Sequence, residues 1–361
     1  MKLLYATSID VPSTRANRIQ VVSMARAFSA LLPNQFLLGL RECRDGYDLK
    51  VSYRELGRGG TSAHLAWRYL ILAKREQITH IYCREEKLLF FLILLNRAYF
   101  RIPLRFSYEM HQLKYLSAWW HRFLLARVSN VISITRAMRD EVVRSGYPAS
   151  RITVAPDAVD IGFIDRGLTK ENARAELGLL QDAFIALYTG TIDEPWKGVG
   201  TFYEAAKKLG DTYLCLIVGG KPHYVEEFNR LHPPIANVVL VGHKPHEEIP
   251  VYLAAADILV LPNSGQAEIS RISTSPMKLF EYMAAGRPIV ASDLPSIREI
   301  LDETTSFLVE PDSVEALAAG TQEAIGNKEE AEKRAHAART RVTSHTWEKR
   351  AQNIMAAIQT A

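Results

Sequence analysis

The sequence predicts an α/β protein built from two doubly wound parallel sheets in tandem, and three observations predict it. At 361 residues the chain is too long for one ordinary core and fits two domains of about 150–180 residues. Short apolar runs alternate with segments of helical period along the whole length, the mark of repeated strand–helix–strand units. A stretch rich in turn residues, 155–167, parts two such series.

In the first series, strands are expected at 2–8, 36–40, 48–53, 79–83, 104–110, 130–135 and 152–156. Helices are expected between most of them, at 17–31, 62–75, 86–97, 117–127 and 136–145. The opening run Met1-Lys2-Leu3-Leu4-Tyr5-Ala6 leads into a polar loop and so reads as a first strand, not as a signal peptide. The second series begins at Phe184-Ile185-Ala186-Leu187-Tyr188-Thr189-Gly190 and continues with strands at 214–219, 238–242, 258–262, 289–292 and 306–309. The last 35 or so residues are helical in pattern, with a terminal helix starting at Trp347.

Apolar and charged fractions of 48% and 23% are those of a globular enzyme. The three cysteines, Cys43, Cys83 and Cys215, have no paired spacing, which argues against a disulfide framework or a zinc site. The most apolar run, 88–95, is eight residues long. No bilayer span is expected, and the cytoplasm is the expected location. The net charge of +4 hides an asymmetry: residues 1–160 hold 24 Lys and Arg against 13 Asp and Glu, and the remainder holds 20 against 27. A basic first half points to an anionic partner there, such as a membrane surface or a phosphorylated acceptor. Nucleic acid is not expected, because no recognised binding motif accompanies the charge.

The most informative stretch is Ser275-Pro276-Met277-Lys278-Leu279-Phe280-Glu281-Tyr282-Met283-Ala284-Ala285-Gly286. Ser275 reads as an N-cap and Pro276 as the first helical residue. The helix is expected to bury Met277, Phe280 and Met283 and to stop at Gly286, before a short buried strand. Lys278 and Glu281, three apart, share a face near the positive end of the helix dipole. The open N–H groups of that end bind anions. A carboxylate one turn further in can accept from two neighbouring hydroxyls, such as those of a ribose. The pattern therefore suits a sugar nucleotide, with phosphates at the helix start and ribose at Glu281. A plain amphipathic helix with an incidental glutamate has the same local pattern.

This segment resembles the donor-site signature of the retaining GT-B glycosyltransferases of family 4, in the variant S-P-x-K-L-F-E-Y-M-A-x-G. The resemblance extends over nearly the whole chain. It implies the GT-B architecture, two Rossmann-like doubly wound domains facing an interdomain cleft, with ligands at the carboxyl ends of the strands. On that reading 1–160 form an acceptor-side domain, with a terminal helix at 346–361 packing back on it, and 161–345 form the nucleotide-sugar-binding domain. The resemblance gives Glu281 to the nucleotide ribose. A second family Glu, eight residues earlier, contacts the transferred sugar; Ser273 stands there in this chain. That leaves the contact to the backbone of Thr274, Ser275, Pro276 and Met277.

The loop Thr189-Gly190-Thr191-Ile192-Asp193-Glu194-Pro195-Trp196-Lys197-Gly198 follows the first strand of the second series. Gly190 lets the backbone approach a ligand, and Lys197 offers a compact charge to a diphosphate. The loop resembles the family element whose Arg and Lys hold the donor phosphates. Lys197 fills the Lys place, Thr191 stands in the Arg place, and Lys278 is the candidate to supply the missing charge. His111, in Ser107-Tyr108-Glu109-Met110-His111-Gln112, matches the family's E-x-H element, whose His reaches the transferred sugar; it is expected to be a polar positioning group. The loop holding His243 and Lys244 resembles the family segment that cradles the nucleobase. Two His there, His243 and His246, lack the spacing and further ligands of a metal site. With no Asp-x-Asp in the chain, no metal is expected.

In Pro12-Ser13-Thr14-Arg15-Ala16-Asn17-Arg18-Ile19 the family's Gly-Gly loop is absent, yet Arg15, Asn17 and Arg18 at a helix start can meet an anion on the acceptor side. Asp160 reads as a structural hinge residue. Aromatics and bases interleave at 67–69, 97–101 and 114–125, a pattern of membrane interfaces and equally of packed helices. The expected activity is metal-independent, retaining transfer of a sugar from a nucleoside diphosphate sugar to an acceptor hydroxyl, with His111, Lys197 and Glu281 catalytic and no cofactor besides the donor. The acceptor is a sugar, lipid-linked or small-molecule hydroxyl. A sugar-nucleotide epimerase of the same fold and a non-catalytic nucleotide-sugar binder are the alternatives.

Overall fold

The computed structural model describes residues 1–13 and 16–360. These divide into two compact units, Met1–Asp157 with Trp347–Ala361, and Ala158–Thr346. Among the described residues the first unit holds a seven-stranded sheet in the spatial order Tyr53–Glu55, Phe36–Leu40, Leu3–Ala6, His80–Cys83, Arg105–Met110, Asn130–Ser133, Ile152–Val154. Every neighbouring pair is parallel. The second unit holds six parallel strands in the order Val238–Gly242, Tyr213–Val218, Phe184–Thr189, Ile258–Leu261, Ile289–Ser292, Phe307–Val309.

Both orders run outward from the first strand in two directions, which is the doubly wound, Rossmann-like topology. The reversal leaves a switch point between Leu3–Ala6 and His80–Cys83, and another between Phe184–Thr189 and Ile258–Leu261. Ligands collect at the carboxyl ends of strands at such points. The central strands form because helices cover both faces, so continuous apolar runs are buried throughout: Leu3–Ala6, Phe36–Leu40, Ile258–Leu261 and Ile289–Ser292 show no exposed residue. The terminal helix Trp347–Thr360 belongs to the first unit, where it packs against the helix Ala16–Leu31 and buries Ala351, Ile354, Met355 and Ile358.

Four local expectations are corrected. Residues 48–52 are not a strand, which is confined to Tyr53–Glu55: Asp48 Oδ1 accepts from the Lys50 N–H at 2.9 Å, and Lys50 turns left-handed at φ 57°. The helix read as 86–97 is α-helical over Glu86–Leu95 and continues as a π-turn, Asn96–Phe100. There the Asn96 side chain bonds both backbone groups of Ile102, each at 3.0 Å. Finally Pro276, not Ser275, caps the helix Met277–Ala285, because its carbonyl takes the first intrahelical bond, from Leu279 N–H at 2.9 Å. Met277, in the first turn, is half-buried instead of buried. Gly286, at φ 64°, ends the helix as read.

Candidate functional site

In the second unit the strand Phe184–Thr189 ends at the switch point on Gly190, whose φ of 138° suits glycine. The Lys278 ammonium occupies the space beside it: a Cβ on Gly190 would lie 2.8 Å from Lys278 Nζ. That nitrogen sits 3.8 Å above the Tyr188 ring, is buried, and has no hydrogen-bond partner among the described residues. Burial, and next the charge of Lys197, hold its pKa well below the ordinary lysine value against the opposing pull of Glu281 and Glu194. Lys197 closes the short turn Pro195–Lys197, 3.6 Å from Glu194 and 4.9 Å over Trp196. Two ammonium groups thus converge where the helix Met277–Ala285 presents N–H groups that have no intrahelical acceptor. Positive groups gathered at a helix start favour a multiply charged anion.

The turn leading to Lys197 tolerates no side chain at Gly198. Its φ is 69°, and a Cβ would come within 1.6 Å of the Pro262 carbonyl oxygen at the end of the neighbouring strand. Gly198→Ala is expected to cost more than about 1–3 kcal/mol in a denaturant melt, since a backbone collision adds to the strained dihedral. A stability equal to wild type would show that the loop relaxes freely.

Glu281 lies one turn into the helix and is 8% exposed. Its Oε1 accepts from His246 Nε2 at 2.9 Å, and His246 stacks on Phe163 with ring centroids 4.7 Å apart. Burial pushes the His246 pKa down, but the Glu281 carboxylate outweighs it, and the net direction is upward. His246 is the partner that sequence reading missed, since that reading gave the loop to His243 and Lys244. His243 is exposed, and Lys244 pairs with Glu248 at 3.7 Å. Thr191 serves through its carbonyl, which accepts the Tyr188 hydroxyl at 2.8 Å. Ser273, Thr274 and Ser275 are buried ahead of the helix, with Pro276 and Met277 half-buried.

In the first unit His111 follows the strand Arg105–Met110, and its Nε2 lies 2.7 Å from Glu109 Oε1. Glu109 has no exposed surface, and it also accepts from Arg350 Nη2 at 2.9 Å, from Gln20 Nε2 at 3.3 Å and from the Tyr82 hydroxyl. Burial would raise the Glu109 pKa, but Arg350 and His111 outweigh it and hold it well below the usual range. Burial, then the charge of Arg84, lower His111 to about 4. His111 is therefore neutral at neutral pH. With its Nε2–H donated to Glu109, Nδ1 is left as an acceptor. Asp157, bonded to Gln20, is pushed by burial up to about 6. Glu109, Gln20, Arg84 and Arg350 carry no sequence signal linking them to His111, apart from the two-residue spacing of Glu109. Of the acceptor-side candidates, Asn17 gives its carbonyl to Arg84 at 3.2 Å, Arg18 reaches the Asp10 carbonyl at 3.3 Å, and Arg15 lies outside the described residues. Among the described residues no three His, Cys, Asp or Glu side chains could hold a metal together.

Comparison with known proteins follows the same division. Residues 21–158 match the glycosyl transferase 4-like domain, and residues 183–327 match the glycosyl transferases group 1 family. The amylovoran biosynthesis glycosyltransferase AmsK of Erwinia amylovora is 31% identical over 206 residues, 54% of this chain and 47% of its own. The alpha-D-kanosaminyltransferase of Streptomyces kanamyceticus is 28% identical over 205 residues, 54% of this chain and 50% of its own. The chain spans about half the length of these curated relatives. Among solved structures, Anabaena HepE in complex with UDP superposes with a TM-score of 0.78 at 18% identity, covering 100% of both chains. That protein has also been solved with UDP-glucose.

Proposed function

The chain is a member of the GT-B glycosyltransferases through its two matched domains, and from that premise we propose that it transfers a sugar, with retention, from a nucleoside diphosphate sugar to an acceptor hydroxyl. The observation that carries this reading is the Lys278 ammonium, buried without a partner beside Lys197 and the start of a helix. A charge on such a group costs stability in the folded chain, a cost relieved when the amine loses its proton or meets an anion. A diphosphate fits that demand. As the sugar leaves, charge grows on the phosphate oxygens, and fixed positive groups stabilise it there without reorganisation. Since these residues supply the charge, the proposed reaction needs no divalent ion. Glu281 keeps Oε2 for ribose hydroxyls while His246 orients the carboxylate through Oε1. His111 is assigned to a hydroxyl of the transferred sugar, accepting through Nδ1. The departing phosphate takes the acceptor proton, so no covalent nucleophile is required.

A thermal-shift panel of nucleoside diphosphates and their sugars, with uridine first because HepE holds UDP, tests the reading. At a hundred times its dissociation constant the right ligand adds about 2.7 kcal/mol of stability. Glu281→Ala is expected to remove most of that gain. An unchanged gain in the variant sinks the ribose assignment, and no gain from any nucleotide sinks the proposal.

A further inference from the structure

The helices Ser62–Arg75, Glu86–Leu95 and Trp119–Leu125 lie side by side on one face of the first sheet, with their inner sides in its core. Segments 62–75, 86–101 and 114–127 together hold nine Lys and Arg and a single acidic residue, Glu86, which is buried. Lys74, Lys87, Arg97, Arg101, Lys114 and Arg122 are exposed, and none is ion-paired among the described residues. Large apolar side chains stand out among these bases: Trp119 is 73% exposed and Tyr99 69%, with Trp67, Ile71 and Leu94 also open to solvent. They are seated, not dangling. The Trp67 ring meets Tyr99 and Phe100 edge-on at 5.9 and 4.8 Å, and Trp119 meets Phe90 at 6.1 Å.

We propose that this face docks the protein on an anionic lipid bilayer. Tryptophan and tyrosine favour the headgroup level, where the ring is half solvated, and long Lys and Arg side chains reach the lipid phosphates around them. Each base near such a surface strengthens attachment by about fivefold. Ile71 and Leu94 decide between anionic partners: an acyl boundary rewards their burial, whereas a nucleic acid backbone gives them nothing. Attachment is along the surface, for among the described residues no helix is long and apolar enough to cross a membrane. The face shares no residue with the donor site, so this inference stands or falls independently of the proposed reaction.

Flotation of the full chain tests it, using vesicles of phosphatidylcholine with one third phosphatidylglycerol against phosphatidylcholine alone. Wild type is expected to float with the anionic vesicles only, with a blue shift of tryptophan emission. Arg97→Ala with Arg101→Ala should weaken partitioning by about 25-fold, and Trp119→Ser should reduce the blue shift, leaving the part due to Trp67. Both variants change exposed side chains, and unaltered melting curves confirm that they fold. Failure to float with anionic vesicles, flotation indifferent to both variants, or displacement from vesicles by DNA of equal total charge would each overturn the assignment.

Discussion

Lys278→Met is expected to lower kcat/KM for sugar transfer by about two to three orders of magnitude and, at the same time, to stabilise the ligand-free protein. The two effects have one origin. Lys278 Nζ is buried without a hydrogen-bond partner and lies near a second cation, Lys197, so holding a charge there, or giving up its proton, costs the unliganded fold stability. Replacing buried charge by an apolar side chain of similar length gains about 1–4 kcal/mol in well-packed cases. The pH dependence follows with a definite sign. The folded-state pKa of Lys278 is depressed, so the unfolded chain binds more protons, and wild-type stability rises with pH up to the ordinary lysine value of about 10.4. The variant loses that slope. Denaturant melts across this range, paired with a donor-turnover assay, check both halves. An ordinary structural lysine would show neither the stability gain nor the loss of rate.

Arg350→Met should be the most destabilising single change in the first unit, costing about 3–5 kcal/mol. Glu109 is fully buried, and Arg350, itself 5% exposed, provides its compensating charge while anchoring to the Pro156 carbonyl at 2.8 Å. The stabilisation from Glu109 is complete above the ordinary glutamate value of about 4.3 and fades as pH falls through its depressed folded value. If the single variant fails to fold, Arg350→Met with Glu109→Leu separates the causes, because removing both charges restores most of the loss. In folded Arg350→Met protein the His111 pKa is expected to rise from about 4, since Glu109 then faces the imidazole with one cation fewer. Arg84 still opposes that rise. An NMR titration of His111 reads the shift directly. No movement would reduce Arg350 to a packing role.

Strands such as Leu3–Ala6 and Ile289–Ser292 are legible because burial on both faces leaves an apolar run, and Gly286 because only glycine comfortably ends a helix at φ 64°. Lys278 and Glu281 are equally legible, their proximity being a matter of helical spacing. Edge geometry was not. The strand at Tyr53–Glu55 has one neighbour and is short, so the Asp48 turn preceding it outweighs the local apolar pattern. Nor was long-range pairing: His246 meets Glu281 across 35 residues, and Arg350 meets Glu109 across 241. No local periodicity encodes such contacts. They arise when tertiary packing sets helices against loops and strands distant in sequence, which is why the partners of the candidate residues were hidden while the residues themselves were not.

Titration calorimetry of a nucleoside, its monophosphate and its diphosphate against wild type and Lys278→Met tests most directly whether the start of the 277–285 helix receives a diphosphate. Wild type should bind the diphosphate far more tightly than the other two, and the substitution should erase that preference while leaving nucleoside binding intact. Equal affinities in wild type, or a diphosphate preference that survives the substitution, would contradict it.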